Sequence, residues 1–159
     1  MKKLRNALAD NGNYHCFGCS PDNPRGLKMQ FWQDGDEVIS RFDPEWYYEG
    51  WEGIMHGGII ATMMDELGAW LIFTVSNTTG VTTNLNVKYK KPVPTTEGPL
   101  EIRGRISHQK RNIIQLKTEV RDHKNTIYAE ADITYFTFSE KTAREKYNFP
   151  GREAFYGKD

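Results

Sequence analysis

The sequence predicts an α+β fold in which one curved antiparallel sheet wraps around a single long helix. An apolar run from about Gly58 to Val75 lacks strand breakers and is rich in good helix formers. Two strand-like segments precede this run and four follow it, so strands and helix come in blocks rather than in alternation. A helix that is apolar nearly all round must be covered on most sides, and a curved sheet can do this.

The remaining elements follow in order along the chain. Residues 1–26 are rich in Gly, Asn, Pro and Asp and are expected to be irregular, with at most a short helix near the start. The segments "LKMQFW" and "EVISRF", joined by "QDGD", predict a hairpin, and "DPEWYYEGWEG" predicts an aromatic-rich loop. Turn residues separate four further strands: "VTTNLNVKYKK", "LEIRGRISH", "IIQLKTEVRD" and "TIYAEADITYFTF". Residues 140–159 are expected to be an irregular tail, and the 159 residues to form one domain.

Composition and charge argue against several classes of function and location. The formal net charge is zero, which argues against a general nucleic-acid partner and against electrostatic membrane binding. "MKKLRNALADN" has a basic start without an apolar region behind it, so no signal peptide is expected. Thr62, Asp65 and Glu66 interrupt the longest apolar stretch, so membrane insertion is not expected. Two cysteines without a secretion signal predict a reducing, cytoplasmic location.

The segment "HGGIIATMMDE", residues 56–66, concentrates the groups that could carry chemistry. A helix start presents unpaired backbone N–H groups, and Gly57 and Gly58 would let a ligand approach them closely. Asp65 and Glu66 lie inside the apolar run, where carboxylates are costly to bury, and their side chains point about 100° apart. The alternative is structural: glycines that permit tight packing and an aspartate that caps a backbone group.

This segment, followed by "TTNLNVKYKKPVP" and strands of this length, resembles the hotdog-fold acyl-CoA thioesterases. The most similar branch is the phenylacetyl-CoA-type group of the 4-hydroxybenzoyl-CoA thioesterase superfamily. The resemblance covers roughly residues 27–138, and "CFGCSPDNPRGL" also resembles an N-terminal segment of some members. It implies Asp65 as base or nucleophile and the Gly57 N–H as oxyanion donor. It also implies that His56 binds the carbonyl or fixes the glycine turn, and that Thr82 positions water.

The resemblance further implies an acyl-CoA substrate, no cofactor besides the coenzyme A of that substrate, and a homodimer or a dimer of dimers. Glu66 is expected to have a structural or supporting role. The substrate-binding candidates are Gly58, Glu66, Thr83, Asn84, Lys90 and Lys91. Apolar neighbours such as Met63, Met64, Leu67 and Ala69 are expected to shield Asp65 from water. One departure stands out, because some members carry an asparagine six residues before the histidine, where this chain has Gly50.

The sequence is also compatible with two other functions. A hotdog enoyl-CoA hydratase or dehydratase would need a separate histidine–carboxylate pair, and a non-catalytic acyl-CoA-binding protein would not need Asp65. His15, Cys16 and Cys19 form an H-C-x-x-C motif, but a structural zinc usually takes four ligands and no second cysteine pair follows. No metal and no redox pair are therefore expected.

Overall fold

The computed structural model describes residues 1–157 and confirms the predicted fold class: an antiparallel sheet curves around one long helix. The helices are α1 (Gly57–Thr74) and α2 (Glu140–Tyr147), and short 3₁₀ turns cover Ala7–Asn11, Trp46–Tyr48 and Arg152–Phe155. The strands are β1 (Lys2–Lys3), β2 (Gln30–Asp34), β3 (Glu37–Phe42), β4 (Glu49–Trp51), β5 (Ile54–Met55), β6 (Gly80–Tyr89), β7 (Leu100–Lys110), β8 (Ile113–Arg121) and β9 (Ile127–Thr137). Within residues 1–157, no helix combines the length and apolar character needed to cross a membrane.

Seven strands form one sheet in the order β1-β2-β3-β7-β8-β9-β6, and β4 and β5 form a separate small hairpin. The predicted β2–β3 hairpin turns at Gly35, whose φ of 63° is left-handed and suits glycine. In β8, Ile114, Leu116 and Val120 are fully buried while the residues between them are more exposed. This period-2 burial turns one face of the sheet toward α1.

The second half of α1 is the centre of the hydrophobic core. Trp70, Leu71 and Ile72 are almost completely buried, and the Trp70 ring stacks on Phe31 with centroids 4.2 Å apart. Toward the first half of the helix, Ala61 and Asp65 are only partly buried. Within one chain, α1 is therefore covered all round only near its end, and one side of its beginning stays open.

The expectation of an irregular C-terminal tail is wrong for residues 140–157. Ser139 caps α2 by accepting a hydrogen bond from the Thr142 N–H, and Asn148 ends the helix in the left-handed conformation. The following turn brings Phe155 into the core, where its ring centroid lies 5.4 Å from that of Phe73. Aromatic burial thus folds the tail over the end of α1. The last two residues of the predicted tail, 158 and 159, lie outside the described residues.

Candidate active site at the start of the central helix

His56 is the N-cap of α1 and organises its first turn. Its Nδ1 accepts a hydrogen bond from the Gly58 N–H at 2.8 Å, and its carbonyl oxygen accepts from Ile59 at 3.0 Å and Ile60 at 3.2 Å. In the part of the chain that the structure describes, the Gly57 N–H has no acceptor. It lies at the positive end of the helix dipole, so it can donate to the oxygen of a bound carbonyl group.

The His56 ring acts on the turn itself. Because Nδ1 accepts from Gly58, the ring proton of the neutral imidazole must be on Nε2. Of the two predicted roles, this contact matches fixing the glycine turn. Gly50 lies directly against the ring: a Cβ there would be 3.2 Å from His56 Cδ2. A side chain at this position would require His56 to shift by a few tenths of an ångström.

Asp65 is held through one of its two carboxylate oxygens. Its Oδ1 accepts from the Thr82 hydroxyl at 2.7 Å and lies 3.1 Å from the Tyr135 hydroxyl, which is also 2.8 Å from the Asp65 carbonyl oxygen. Among residues 1–157, no hydrogen-bond donor contacts Oδ2. The side chain is thus fixed in orientation with one oxygen free to accept a proton or attack an electrophile.

A bulge in β6 positions Thr82 for this contact. Thr82 pairs with Tyr135 and Asn84 with Thr134, so Thr83 is an extra residue in the strand. The Thr83 hydroxyl donates to the Thr134 carbonyl at 3.1 Å, and the side chains of Thr82, Thr83 and Asn84 are exposed. Bulges of this kind re-aim neighbouring side chains. The bulge thus directs the Thr82 hydroxyl to the Asp65 carboxylate, and the role of Thr82 in positioning water stays a prediction.

Tyr135 was not predicted as a site residue. Gly68 makes room for it, because a Cβ at Gly68 would lie 3.1 Å from the Tyr135 ring. Burial raises the pKa of Tyr135, and the negative charge of Asp65 raises it further, so the hydroxyl stays protonated and donates. The inward position of Tyr135 in the alternating β9 pattern was the available signal, but the pattern does not show which helix residue it meets.

Asp65 and Glu66 are both partly buried in the single chain, but their side chains point to different surroundings. Glu66 Oε2 accepts from the Cys16 thiol at 3.1 Å, and Oε1 accepts from the Trp70 indole N–H at 3.2 Å. Burial raises the pKa of Glu66 to about 8. The side chain points to the N-terminal segment, away from Thr82. This placement separates Glu66 from the other substrate-binding candidates and fits a structural role.

The two cysteines of the N-terminal segment differ in environment. A hydrogen bond from the Cys19 thiol lowers the pKa of Cys16 to about 5, while that contact and burial raise the pKa of Cys19. Cys16 is partly exposed and Cys19 is buried. Both sulfur atoms lie close to the Glu66 carboxylate, and His15 is exposed beside them.

A cleft of about 300 Å³ opens beside the helix start and brings three site candidates together. Gly57, Lys90 and Lys91 line it together with the Tyr89 ring. The Tyr89 hydroxyl donates to the Gly57 carbonyl at 2.7 Å, which ties the end of β6 to the first turn of α1. Lys90 also pairs with Glu130 at 2.7 Å. The two lysines can bind the anionic phosphates of a ligand whose reactive group lies near Gly57.

Comparison with known proteins agrees with the fold. Residues 52–129 match the thioesterase superfamily. A Streptococcus mutans UA159 protein, whose structure is described as bound to acetyl-CoA, superposes with a TM-score of 0.65 at 20% identity. The superposition covers 79% of this chain and 98% of that one. The fold and the matched region thus define a hotdog-fold protein.

Curated relatives match over shorter regions. An acyl-coenzyme A thioesterase, THEM4 of Xenopus laevis, is 41% identical over 58 residues, which is 36% of this chain and 25% of that protein. A Saccharolobus solfataricus protein named as an esterase is 26% identical over 89 residues, 55% of this chain and 58% of its own length. The chain therefore spans only part of the curated relatives that it matches. The part of the chain that matches the thioesterase superfamily, residues 52–129, is just under half of its 159 residues.

Proposed function

We propose that this protein hydrolyses the thioester of an acyl-CoA to a free carboxylic acid and coenzyme A. One observation carries the proposal: the Gly57 N–H and the Asp65 Oδ2 are both without partners in residues 1–157, while their neighbours are fixed by hydrogen bonds. A free donor at a helix start and an oriented carboxylate are the two groups that acyl transfer to water requires. The names of the relatives and the acetyl-CoA of the S. mutans structure support the substrate class.

The chemistry follows from these two groups. A water molecule attacks the thioester carbonyl carbon while Asp65 Oδ2 accepts a proton from it, and the Gly57 N–H donates to the oxyanion that forms. Collapse of the tetrahedral intermediate breaks the C–S bond, and the coenzyme A thiolate takes up a proton on leaving. Alternatively, Oδ2 attacks the carbonyl carbon directly, and the C–S bond breaks as the coenzyme A thiolate leaves. Water then hydrolyses the mixed anhydride, which releases the free acid and restores the Asp65 carboxylate. Neither route uses a metal or a redox cofactor.

The spacing of Gly57 and Asp65 supports a site shared between two chains. Gly57 and Asp65 are eight residues apart in α1, about 12 Å along the axis, whereas reacting groups must approach to about 3–3.5 Å. Two antiparallel α1 helices from a two-fold dimer would bring Gly57 of one chain to Asp65 of the other. We therefore propose a homodimer as the smallest active unit, with a dimer of dimers as a larger form.

The surface around β6 fits this dimer. β6 is the last strand of the sheet, so one edge of it is unpaired in the chain. Val81 and Tyr89 are 48% and 52% exposed, which is high for large apolar side chains in a strand. The open side of α1, with Ala61 and Asp65, lies next to it. A partner on this side would cover the apolar surface and complete the site.

A hydratase or dehydratase is less well supported. Such a reaction needs a histidine paired with a carboxylate at the acyl α and β carbons. Among the described residues, the His56 Nδ1 is engaged by Gly58, and no histidine contacts Asp65 or Glu66. A non-catalytic acyl-CoA-binding protein would use the Lys90 and Lys91 cleft but would have no need for an oriented Asp65.

A panel of acyl-CoA thioesters tests the proposal, with thiol release as the readout. The panel should include acetyl-CoA, medium-chain acyl-CoA and phenylacetyl-CoA, because the phenylacetyl-CoA-type branch is itself a prediction. Asp65→Asn should lower kcat by about 10²- to 10⁴-fold, the usual contribution of a positioned base. Glu66→Gln, the matched control on the adjacent acid, should cost much less. Tight binding of the whole panel without thiol release would support the non-catalytic alternative, and equal losses would show that Asp65 is not the catalytic acid.

A further inference from the structure

Three metal-binding side chains converge where the N-terminal segment meets α1. One ligand atom from each of Cys16, Cys19 and Glu66 lies within 4.8 Å of the other two. The Cys16 Sγ and the Glu66 Oε2 are 3.1 Å apart, although the residues are 50 positions apart in the chain. The sequence predicted no metal because it offers no second pair of cysteines near Cys16 and Cys19. That argument did not consider Glu66 as a ligand. The fold therefore supplies a third ligand that the motif lacks.

Hydrogen bonds fold the chain into a turn around the two cysteines. The Ser20 N–H donates to the Cys16 carbonyl at 3.1 Å, which closes the turn between them. The Asn6 amide N–H lies 3.3 Å from the Cys19 sulfur. Donors of this kind around ligand atoms orient them and stabilise their charged form in metal sites. The turn is thus already folded around both sulfurs.

The Glu66 side chain packs closely against this turn. A Cβ on Gly18 would lie 2.4 Å from the Glu66 Cγ, so only glycine leaves space for the acid. The Tyr14 hydroxyl lies 3.5 Å from the Cys19 sulfur. In the described part of the chain, no lysine or arginine forms an ion pair with Glu66. A divalent cation would balance the negative charge that these groups carry when deprotonated.

The donor set selects the kind of metal. Mg²⁺ and Ca²⁺ bind oxygen ligands, whereas Zn²⁺ binds thiolates and carboxylates together in a tetrahedral arrangement. We propose that Cys16, Cys19 and Glu66 bind one Zn²⁺, with the Tyr14 hydroxyl or a water molecule as the fourth ligand. The ion fastens the N-terminal segment to α1, and on binding, the thiol protons of Cys16 and Cys19 pass to solvent.

This site is structural and separate from the hydrolytic one. The Glu66 carboxylate faces Cys16 and Trp70, while Asp65 faces Thr82 and Tyr135. The proposal replaces the expectation that the chain binds no metal, and it leaves the hydrolytic steps unchanged. It does not depend on the proposed thioesterase activity, because its readouts are metal content, absorption and thermal stability.

Titration of the reduced full-length protein with Zn²⁺ and with Co²⁺ tests the site. We expect one ion per chain by elemental analysis after desalting, thiolate-to-cobalt charge-transfer absorption with Co²⁺, and a higher Tm that a chelator reverses. Cys16→Ser and Glu66→Gln should each weaken Zn²⁺ binding by about 100-fold or more, since loss of outer contacts alone costs about 10- to 100-fold. Asp65→Asn, which removes the adjacent carboxylate, should bind Zn²⁺ like the unmodified protein.

Two results would overturn the proposal. The first is a reduced, folded protein that binds no stoichiometric Zn²⁺ even when Zn²⁺ is in excess over the protein. Cysteines that only form a disulfide on oxidation, and bind no Zn²⁺ when reduced, would count as this result. The second is a folded Glu66→Gln variant that binds Zn²⁺ with unchanged affinity, which would leave only the two cysteines as ligands. The glutamine variant keeps the shape of the side chain, so it separates ligand loss from misfolding even if Cys16→Ser fails to fold.

Discussion

Replacing Tyr135 with phenylalanine isolates a site residue that the sequence did not reveal. The change removes a hydroxyl 3.1 Å from the Asp65 Oδ1 and keeps the ring that packs beside Gly68. A hydrogen bond to a charged group is worth about 1.5–3 kcal/mol, and each 1.4 kcal/mol or so of barrier is tenfold in rate. We expect kcat to fall by about 10- to 100-fold. The Thr82 contact at 2.7 Å remains, which favours the lower end.

Steady-state kinetics with thiol release measures this effect and separates it from binding. KM should stay within about twofold, because the Tyr135 hydroxyl orients the acid and does not line the lysine cleft. Tyr128→Phe is the matched control: the same strand loses a buried hydroxyl that donates to Asp122 at 3.2 Å and, among the described residues, not to Asp65. The control should keep its kcat. If Tyr135→Phe loses no more kcat than Tyr128→Phe, Tyr135 does not position Asp65.

Three further changes test the tail, the cap and the cleft. Phe155→Ala should lower the free energy of unfolding in urea by about 3–5 kcal/mol because it empties a core position, and the exposed control Glu145→Ala should change it by less than about 0.5 kcal/mol. Equal effects would mean that the tail does not pack as described. His56→Ala should cost about 0.5–2 kcal/mol of stability through loss of the Gly58 cap and should also lower kcat, and a fully active variant would contradict the role of the cap. Lys91→Gln should raise the KM for acyl-CoA several-fold in a salt-dependent way at constant kcat, whereas an unchanged KM would place the phosphates elsewhere.

The fold was largely predictable because its signals are local. Alternation of apolar residues identifies β8 and β9, the "QDGD" turn identifies the β2–β3 hairpin, and the long apolar run identifies α1 within a residue at each end. The C-terminal tail was not predictable in this way. Its helix α2 is short and polar, so it has no apolar periodicity to detect. The segment is ordered by the contact of Phe155 with Phe73, and these residues are 82 positions apart in the chain.

The candidate site was predictable only where a motif marks it. Gly57, Asp65 and Thr82 follow from the resemblance, and the structure brings Thr82 to Asp65 as a hydrogen-bond donor. Tyr135 and the contact of Cys16 with Glu66 depend on pairings across 70 and 50 residues, which no local pattern encodes. Helix periodicity alone does not show which of the two acids, Asp65 or Glu66, the N-terminal segment contacts.

The central claim is that each active site takes its oxyanion donor from Gly57 of one chain and its acid from Asp65 of the other. Co-refolding an Asp65→Asn variant with a Gly57→Val variant, each inactive alone, tests it directly. At equal amounts half of the dimers should be mixed, and each mixed dimer has one site with both residues intact, so about a quarter of the unmodified activity per chain should return. Mixed dimers that are shown to form, for example by differential tagging, and that release no thiol from acyl-CoA would contradict the shared site.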